Sequence, residues 1–211
     1  MVLETPLNEL LDAGSKIRIL RLFALRTDDY LASGREIARL TALSPPAAHS
    51  ALKELLDRGT LAREIVGRQH LYRLNPANRV VRDMLRPLFL REQGLKQDVR
   101  GFLLRELEGS GLMNAVVSLI LYGSLASGRT HEASDCDVAV VTADSSAKFK
   151  LDRFFTETLA ARFHEEFGFH IDPYIKTVAE FNRKLRKNEP PVSTLMTSYE
   201  TLLGRDPMDL I

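Results

Sequence analysis

The sequence predicts a mixed α/β (α+β) chain in three stretches. These are a helical segment closed by a hairpin over 1–78, a helical connector over 79–110, and a small mixed sheet flanked by helices over 111–211. Three observations carry this. Residues 15–58 space their apolar side chains as helices do, and two strand-like runs follow at 61–66 and 69–74. Residues 80–107 keep helical apolar stripes with no strand signal. Beyond 111, short apolar runs at 116–122, 138–141 and 169–175 have strand length, with a helix-like stretch at 146–167 between the last two.

The elements follow in order. Ser15 to Arg26 sets Ile17, Leu20 and Ala24 on one face with Ile19 and Phe23 beside it, a partly buried first helix. Ser33 and Glu36 have the spacing of a capping box, and Ile37, Ala38 and Leu40 give the second helix its apolar side before a turn at Ala42-Leu43. Ser44 caps the third helix and Pro45 suits its first position. Leu52, Leu55 and Leu56 bury one side until Gly59 ends it. Leu61–Val66 and Gln69–Leu74, joined by Gly67-Arg68, read as a hairpin.

The connector carries Val80, Val81, Met84, Leu85, Leu88 and Phe89, then Leu95, Val99, Phe102, Leu103 and Leu107 after Gly94. Both stripes need a partner, either the C-terminal segment or a second copy of the chain. Pro87 is expected to bend or interrupt the first helix. In the C-terminal segment, Thr177–Lys187 reads as a helix with Arg183, Lys184, Arg186 and Lys187 on its solvent face. Pro190-Pro191 breaks it, and Val192–Leu203 reads as a final helix closed by Gly204.

Composition sets bounds. The chain has 211 residues, 45% of them hydrophobic, and 29 Lys+Arg against 28 Asp+Glu, enough for two small globular domains. One cysteine excludes an intramolecular disulfide, and the start Met-Val-Leu-Glu-Thr-Pro lacks a basic stretch followed by an apolar segment, so a cytoplasmic location and no membrane association are expected. Residues 1–110 hold 18 basic and 14 acidic side chains, while the remainder holds 11 and 14. A basic first half suits a polyanion, and an acidic second half suits metal–nucleotide chemistry.

The most specific pattern is Gly123-Ser124, ten residues, then Asp135-Cys136-Asp137. A strand leads into the Gly-Ser turn, and the second carboxylate opens another strand. Glycine lets backbone N–H groups approach phosphate oxygens, and a helix starting at Ser124 adds its positive end. Asp135 and Asp137 alternate onto one face, where a divalent cation, most naturally Mg²⁺, relieves their repulsion. Asp172, in the strand-like run 169–175, is the candidate third carboxylate. If its strand lies beside that of Asp137, it can accept the proton of an attacking hydroxyl and also touch a metal ion. Arg129 and His131 lie in the spacer loop, where Arg129 is a candidate phosphate contact. His131, His164 and His170 lack metal-ligand spacing; His164 and His170 read as surface or packing residues, and His131 either approaches the phosphates with Arg129 or, the preferred reading, is solvated.

Residues from about 112 to 204 resemble a minimal nucleotidyltransferase domain of the polymerase-beta superfamily. Gly123, Ser124, Asp135, Asp137 and Asp172 match that family's pattern, with Cys136 where an aliphatic residue is commoner. The resemblance implies transfer of a nucleoside monophosphate from a Mg²⁺-bound nucleoside triphosphate, ATP or another, to a hydroxyl. Asp135, Asp137 and Asp172 are then catalytic and metal-binding, and Gly123, Ser124 and Arg129 nucleotide-binding. Domains of this type often resemble antitoxins that modify a partner toxin, which makes a co-encoded protein a candidate acceptor.

Residues from about 14 to 75 resemble the winged helix-turn-helix family, which implies binding of double-stranded DNA. The third helix would present Ala47, His49, Ser50 and Lys53 to the major groove, and Arg63, Arg68 and His70 would reach backbone or minor groove. A homodimer is expected, since two-fold readers of DNA bind paired half-sites. The leading expectation is a DNA-binding nucleotidyltransferase. The alternative is a transcriptional regulator whose transferase fold serves as a non-catalytic nucleotide sensor.

Overall fold

The computed structural model describes residues 4–127 and 135–210. The chain divides by its contacts into two compact units, Met1–Leu95 and Lys96–Ile211.

The first unit holds three helices and a three-stranded sheet. Helix α1 (Gly14–Ala24) buries Ile19, Leu20, Phe23 and Ala24. It also buries Lys16, whose ammonium donates to Glu9 O at 2.7 Å and pairs with Asp12 at 2.6 Å and Glu54 at 2.9 Å. A cation this deep survives because every donor is matched. After the short strand β1 (Ala32–Ser33), Ser33 Oγ accepts from Glu36 N–H at 3.3 Å and starts helix α2 (Gly34–Leu40). Ser44 Oγ accepts from Ala47 N–H at 3.4 Å at the head of helix α3 (Pro45–Asp57). Strands β2 (Leu61–Val66) and β3 (Gln69–Leu74) form the hairpin, and β1 pairs with β3 to give the order β1-β3-β2. This is the winged helix arrangement that the caps and the hairpin signal.

The connector is one helical run. Helix α4 (Arg86–Gly109) follows a turn of π-helix at Val81–Leu85, in which Arg86 N–H donates to Val81 O. Pro87 does not end the helix. Its ring has no N–H to offer, and the wider turn just before it absorbs the missing bond. Val81, Leu85 and Phe89 belong to the core of the first unit with Leu20, Phe23 and Leu55. Val99, Phe102, Leu103 and Leu107 belong to a core of the second unit. Each apolar stripe is therefore covered from within its own unit.

The second unit is a four-stranded sheet built from β4 (Val116–Tyr122), β5 (Cys136–Thr142), β6 (Ile171–Thr177) and β7 (Tyr199–Gly204), in the order β6-β5-β4-β7. The β5–β6 pair is parallel and the other two are antiparallel. Between β4 and β5 lies the short helix α5 (Gly123–Ser127). Helices α6 (Ser145–Arg153) and α7 (Ala160–Phe167), joined through a π segment at Phe154–Leu159, pack Leu151, Phe155, Leu159 and Phe163 with the second half of α4 onto one face. Helix α8 (Val178–Arg186) and the short helix α9 (Val192–Leu195) place Phe181, Val192 and Leu195 on the other.

One expectation is corrected here. Val192–Leu203 is not a single helix: only its first turn is helical, and Tyr199–Gly204 forms β7, with Tyr199 opposite Tyr122 and Glu200 opposite Leu121. Tyr and Thr favour strands, and the open edge of β4 supplies the pairing that the local apolar spacing could not reveal. Among the described residues no helix is long and apolar enough to cross a membrane.

Candidate active site and nucleic-acid interface

Strand β4 delivers Tyr122, and the chain turns at Gly123, with φ 72°, into α5. Only glycine occupies that backbone region without strain, and only glycine fits the space. A Cβ at Gly123 would overlap Asp137 Oδ2 outright and stand 2.9 Å from Asp137 Cγ and 3.2 Å from its Cβ. Gly123 and Asp137, fourteen positions apart in sequence, are thus in direct contact.

Asp137 and Asp172 are opposite each other in the parallel β5–β6 register, and Cys136 N–H donates to His170 O at 2.8 Å at the entrance to that pair. Their Cα atoms stand about 4.8 Å apart, as in any strand pair. Strand alternation puts Asp137, Ala139 and Val141 on the α8–α9 face, and Cys136, Val138 and Val140 on the opposite one. Asp135 is exposed just ahead of β5, and Asp172 is exposed near the start of β6.

The electrostatics record the convergence of the three acids. Burial, then the charge of Asp172, then that of Asp135, raises the pKa of Asp137. Burial chiefly, with Asp137 and Asp172 behind it, raises the Tyr122 phenol and keeps it protonated. Burial and Asp137 push the Cys136 thiol up to about 12, so this core thiol is inert. Among the described residues no ion pair neutralises any of the three aspartates. No three potential ligands there are gathered closely enough to form a finished metal centre. The donors themselves are hard carboxylate oxygens under mutual repulsion, which is the set a small divalent cation prefers.

Beside the acids, Tyr174 shares the face of Asp172, with Lys176 Nζ 5.0 Å from the centre of its ring. Glu180 lies at the head of α8. Its carboxylate accepts from Lys148 at 2.8 and 2.9 Å and from Thr177 N–H at 2.9 Å, which holds its pKa down at about 2. Tyr122, Tyr174 and Lys176 did not stand out in the sequence reading. Their signal is their position, directly before Gly123 and at two-residue steps from Asp172. Ser124 is half-buried on α5, and Arg129 lies outside the described residues, as does His131.

In the first unit, α3 turns Ala48, Ala51, Leu52 and Leu55 inward. His49, Ser50 and Lys53 are exposed, and Ala47 is half-buried. Arg63, Arg68 and His70 are exposed on the hairpin. His49, Lys53 and Arg63 line one cleft of about 530 Å³ with Tyr72. His49 and Tyr72 also border a second cleft of about 700 Å³, whose rim adds Arg35 and Arg39 from α2. Those two arginines were missed because a single basic residue on an amphipathic helix reads as ordinary solvation.

Residues 103–193 match the family model of the nucleotidyltransferase domain. No curated protein matches the chain. Among solved structures, the chain is similar to a homodimeric winged helix-turn-helix DNA-binding domain (fragment 1–100) from Mycobacterium bovis. The identity is 20%, over 45% of this chain and 79% of that one, with a TM-score of 0.34. It is also similar to a toxin–antitoxin in a crystal structure with AMP-PNP, at 18% identity over 52% of this chain and 77% of that one, with a TM-score of 0.34. The stretch that matches the nucleotidyltransferase model lies in the second unit and includes Gly123, Asp137 and Asp172.

Proposed function

We propose that this protein is a DNA-binding, Mg²⁺-dependent nucleotidyltransferase that transfers AMP from ATP to a hydroxyl of a partner protein. The observation that carries the catalytic part is the contact of Gly123 with Asp137 together with the register of Asp137 against Asp172. Asp135, Asp137 and Asp172 would hold the metal, which supplies neutralisation of the triphosphate and of the departing pyrophosphate. Backbone N–H groups at Gly123 and Ser124, with the Arg129 side chain, bind the phosphates. The acceptor hydroxyl attacks the α-phosphorus, and the bond from that phosphorus to the bridging oxygen of the β-phosphate breaks. Pyrophosphate leaves, and Asp172 takes the hydroxyl proton. The protonated phenol of Tyr122 excludes a further negative charge beside Asp137.

A macromolecular acceptor suits the small size of the domain, because an exposed Asp172 at the sheet edge is open to an incoming side chain. The winged helix, with its exposed α3 and cationic hairpin, binds duplex DNA, and pairing of two copies on half-sites accounts for a homodimer.

The test is incubation of the purified chain and a co-encoded partner with labelled ATP and Mg²⁺, followed by intact mass. The expected result is a gain of one AMP on the partner, absent with Asp135→Ala or Asp137→Ala. Asp172→Asn is expected to bind nucleotide and fail to transfer it. Label only on a small molecule or an RNA 3′ end would overturn the choice of acceptor. Nucleotide binding with no transfer to any acceptor would favour a nucleotide sensor.

A further inference from the structure

The tip of the hairpin carries two exposed aliphatic side chains beside Arg68. Ile65 and Val66 are 65% and 57% exposed, next to the turn at Gly67-Arg68. They face His70 and Gln69 across the hairpin, so no apolar neighbour in the ladder covers them. Every residue from 65 to 70 is exposed, and the tip therefore stands clear of the unit by about 10 Å, three residues at strand rise.

The charges around this tip select its partner. Arg63, Arg68 and His70 are exposed on the hairpin, and its one acid, Glu64, is held by Arg73 at 2.6 Å. Ile65 thus shares its face of the ribbon with Arg63, Val66 shares the other face with the paired Glu64, and Arg68 stands at the turn between them. That combination repels basic protein surfaces and suits a polyanion with an apolar interior. A DNA minor groove is such a surface: it attracts arginine at its walls, and aliphatic side chains can part its stacked base steps. The groove is only about 6 Å wide, so a two-stranded ribbon enters it tip first and must open it.

We propose that the wing tip is a DNA-bending wedge, in which Ile65 and Val66 enter the minor groove and part a base step while Arg68 anchors the adjacent backbone. This rests on the reading of the first unit as a DNA-binding domain. Pyrimidine–purine steps such as TA unstack most easily and are the preferred point of entry.

The experiment uses the full chain and a 24-bp duplex rich in TA steps, labelled at its ends with a donor and an acceptor fluorophore. Binding is followed by anisotropy and bending by energy transfer, both at low salt. The wild type is expected to bind and to raise the transfer efficiency. The double variant Ile65→Thr, Val66→Thr keeps β-branched residues in the hairpin, and circular dichroism checks its fold. It is expected to bind within about tenfold of the wild type and to lose the rise in transfer. Binding by the wild type without bending, or equal bending by the variant, would overturn the wedge and leave DNA binding intact. No anisotropy change with any duplex would remove the DNA-binding reading itself, and the wedge with it. A fall in mass by light scattering for the variant, with bending unchanged, would assign the tip to contact with a second copy and overturn the proposal.

Discussion

Replacing Gly123 by alanine probes the site at its tightest point. Two penalties combine. The residue has φ 72°, which costs an alanine about 1–2 kcal/mol of backbone strain. The new methyl would also stand 2.9 Å from Asp137 Cγ and overlap its Oδ2, so the carboxylate has to withdraw by about 1 Å or more, a displacement that costs on the order of 100-fold in rate. Gly168 supplies the control, since it also has positive φ, at 74°, but nothing lies within 4 Å of an added Cβ. Gly168→Ala should therefore show the strain without the displacement. Pyrophosphate release measures transfer, and urea unfolding measures stability. Both variants should lose about 1–2 kcal/mol of stability, and only Gly123→Ala should also lose about two decades of activity. Equal activity in the two variants, or Gly123→Ala within threefold of wild type, would refute the claim that Asp137 acts from the position seen here.

Asp137→Asn should raise the Tm of the nucleotide-free protein at pH 7 while abolishing transfer. Its pKa is raised, so the native state favours the protonated form; stability is gained as pH falls through the raised value and is diminished at neutral pH. A lower Tm for the variant would contradict this. Glu180 has the opposite sign. Held at about 2, it stabilises the fold above its ordinary value of 4.5, and that contribution is lost as pH falls from there through about 2. Glu180→Gln should flatten this part of the acid-unfolding profile, and a profile parallel to wild type would exclude the role. Arg68→Ala should weaken binding to all duplexes alike and lower the slope of affinity against salt by about one, read by anisotropy over a salt series. A change confined to one sequence would place Arg68 on a base.

What the sequence made legible was whatever local chemistry dictates. Ser33 and Ser44 announced two helix starts, and Gly67-Arg68 announced the hairpin. The strands around Gly123 and Asp137 were legible because continuous apolar runs of strand length are bounded by turn residues. That Asp172 would face Asp137 was conditional on two strands being neighbours, a question of topology that alternation within one strand cannot answer. The same gap explains the misread C-terminal stretch: Tyr199–Gly204 has side chains acceptable to either structure, and a free sheet edge decided between them. The two-residue strand β1 carries no sequence signal, because β3 alone calls it into being. At Pro87 the rule that proline breaks helices held only locally, since one wider turn was enough to accommodate it.

The place of β7 in the sheet has a consequence for the order in which the chain matures. Strand β4 carries Gly123 at its end, and one of its edges is paired only by residues 199–204. During synthesis, at roughly 5–20 residues per second, β4, β5 and β6 emerge well before that partner does. The winged helix core, made of residues up to Phe89, needs nothing synthesised later. The nascent polypeptide therefore passes through an interval of seconds in which its first unit is competent to fold and β4 still exposes an unpaired edge on the side away from β5 and β6. Ribosome-bound chains halted in that interval would display a finished wing and an unfinished transferase, and their exposed edge is where a chaperone would have cause to bind.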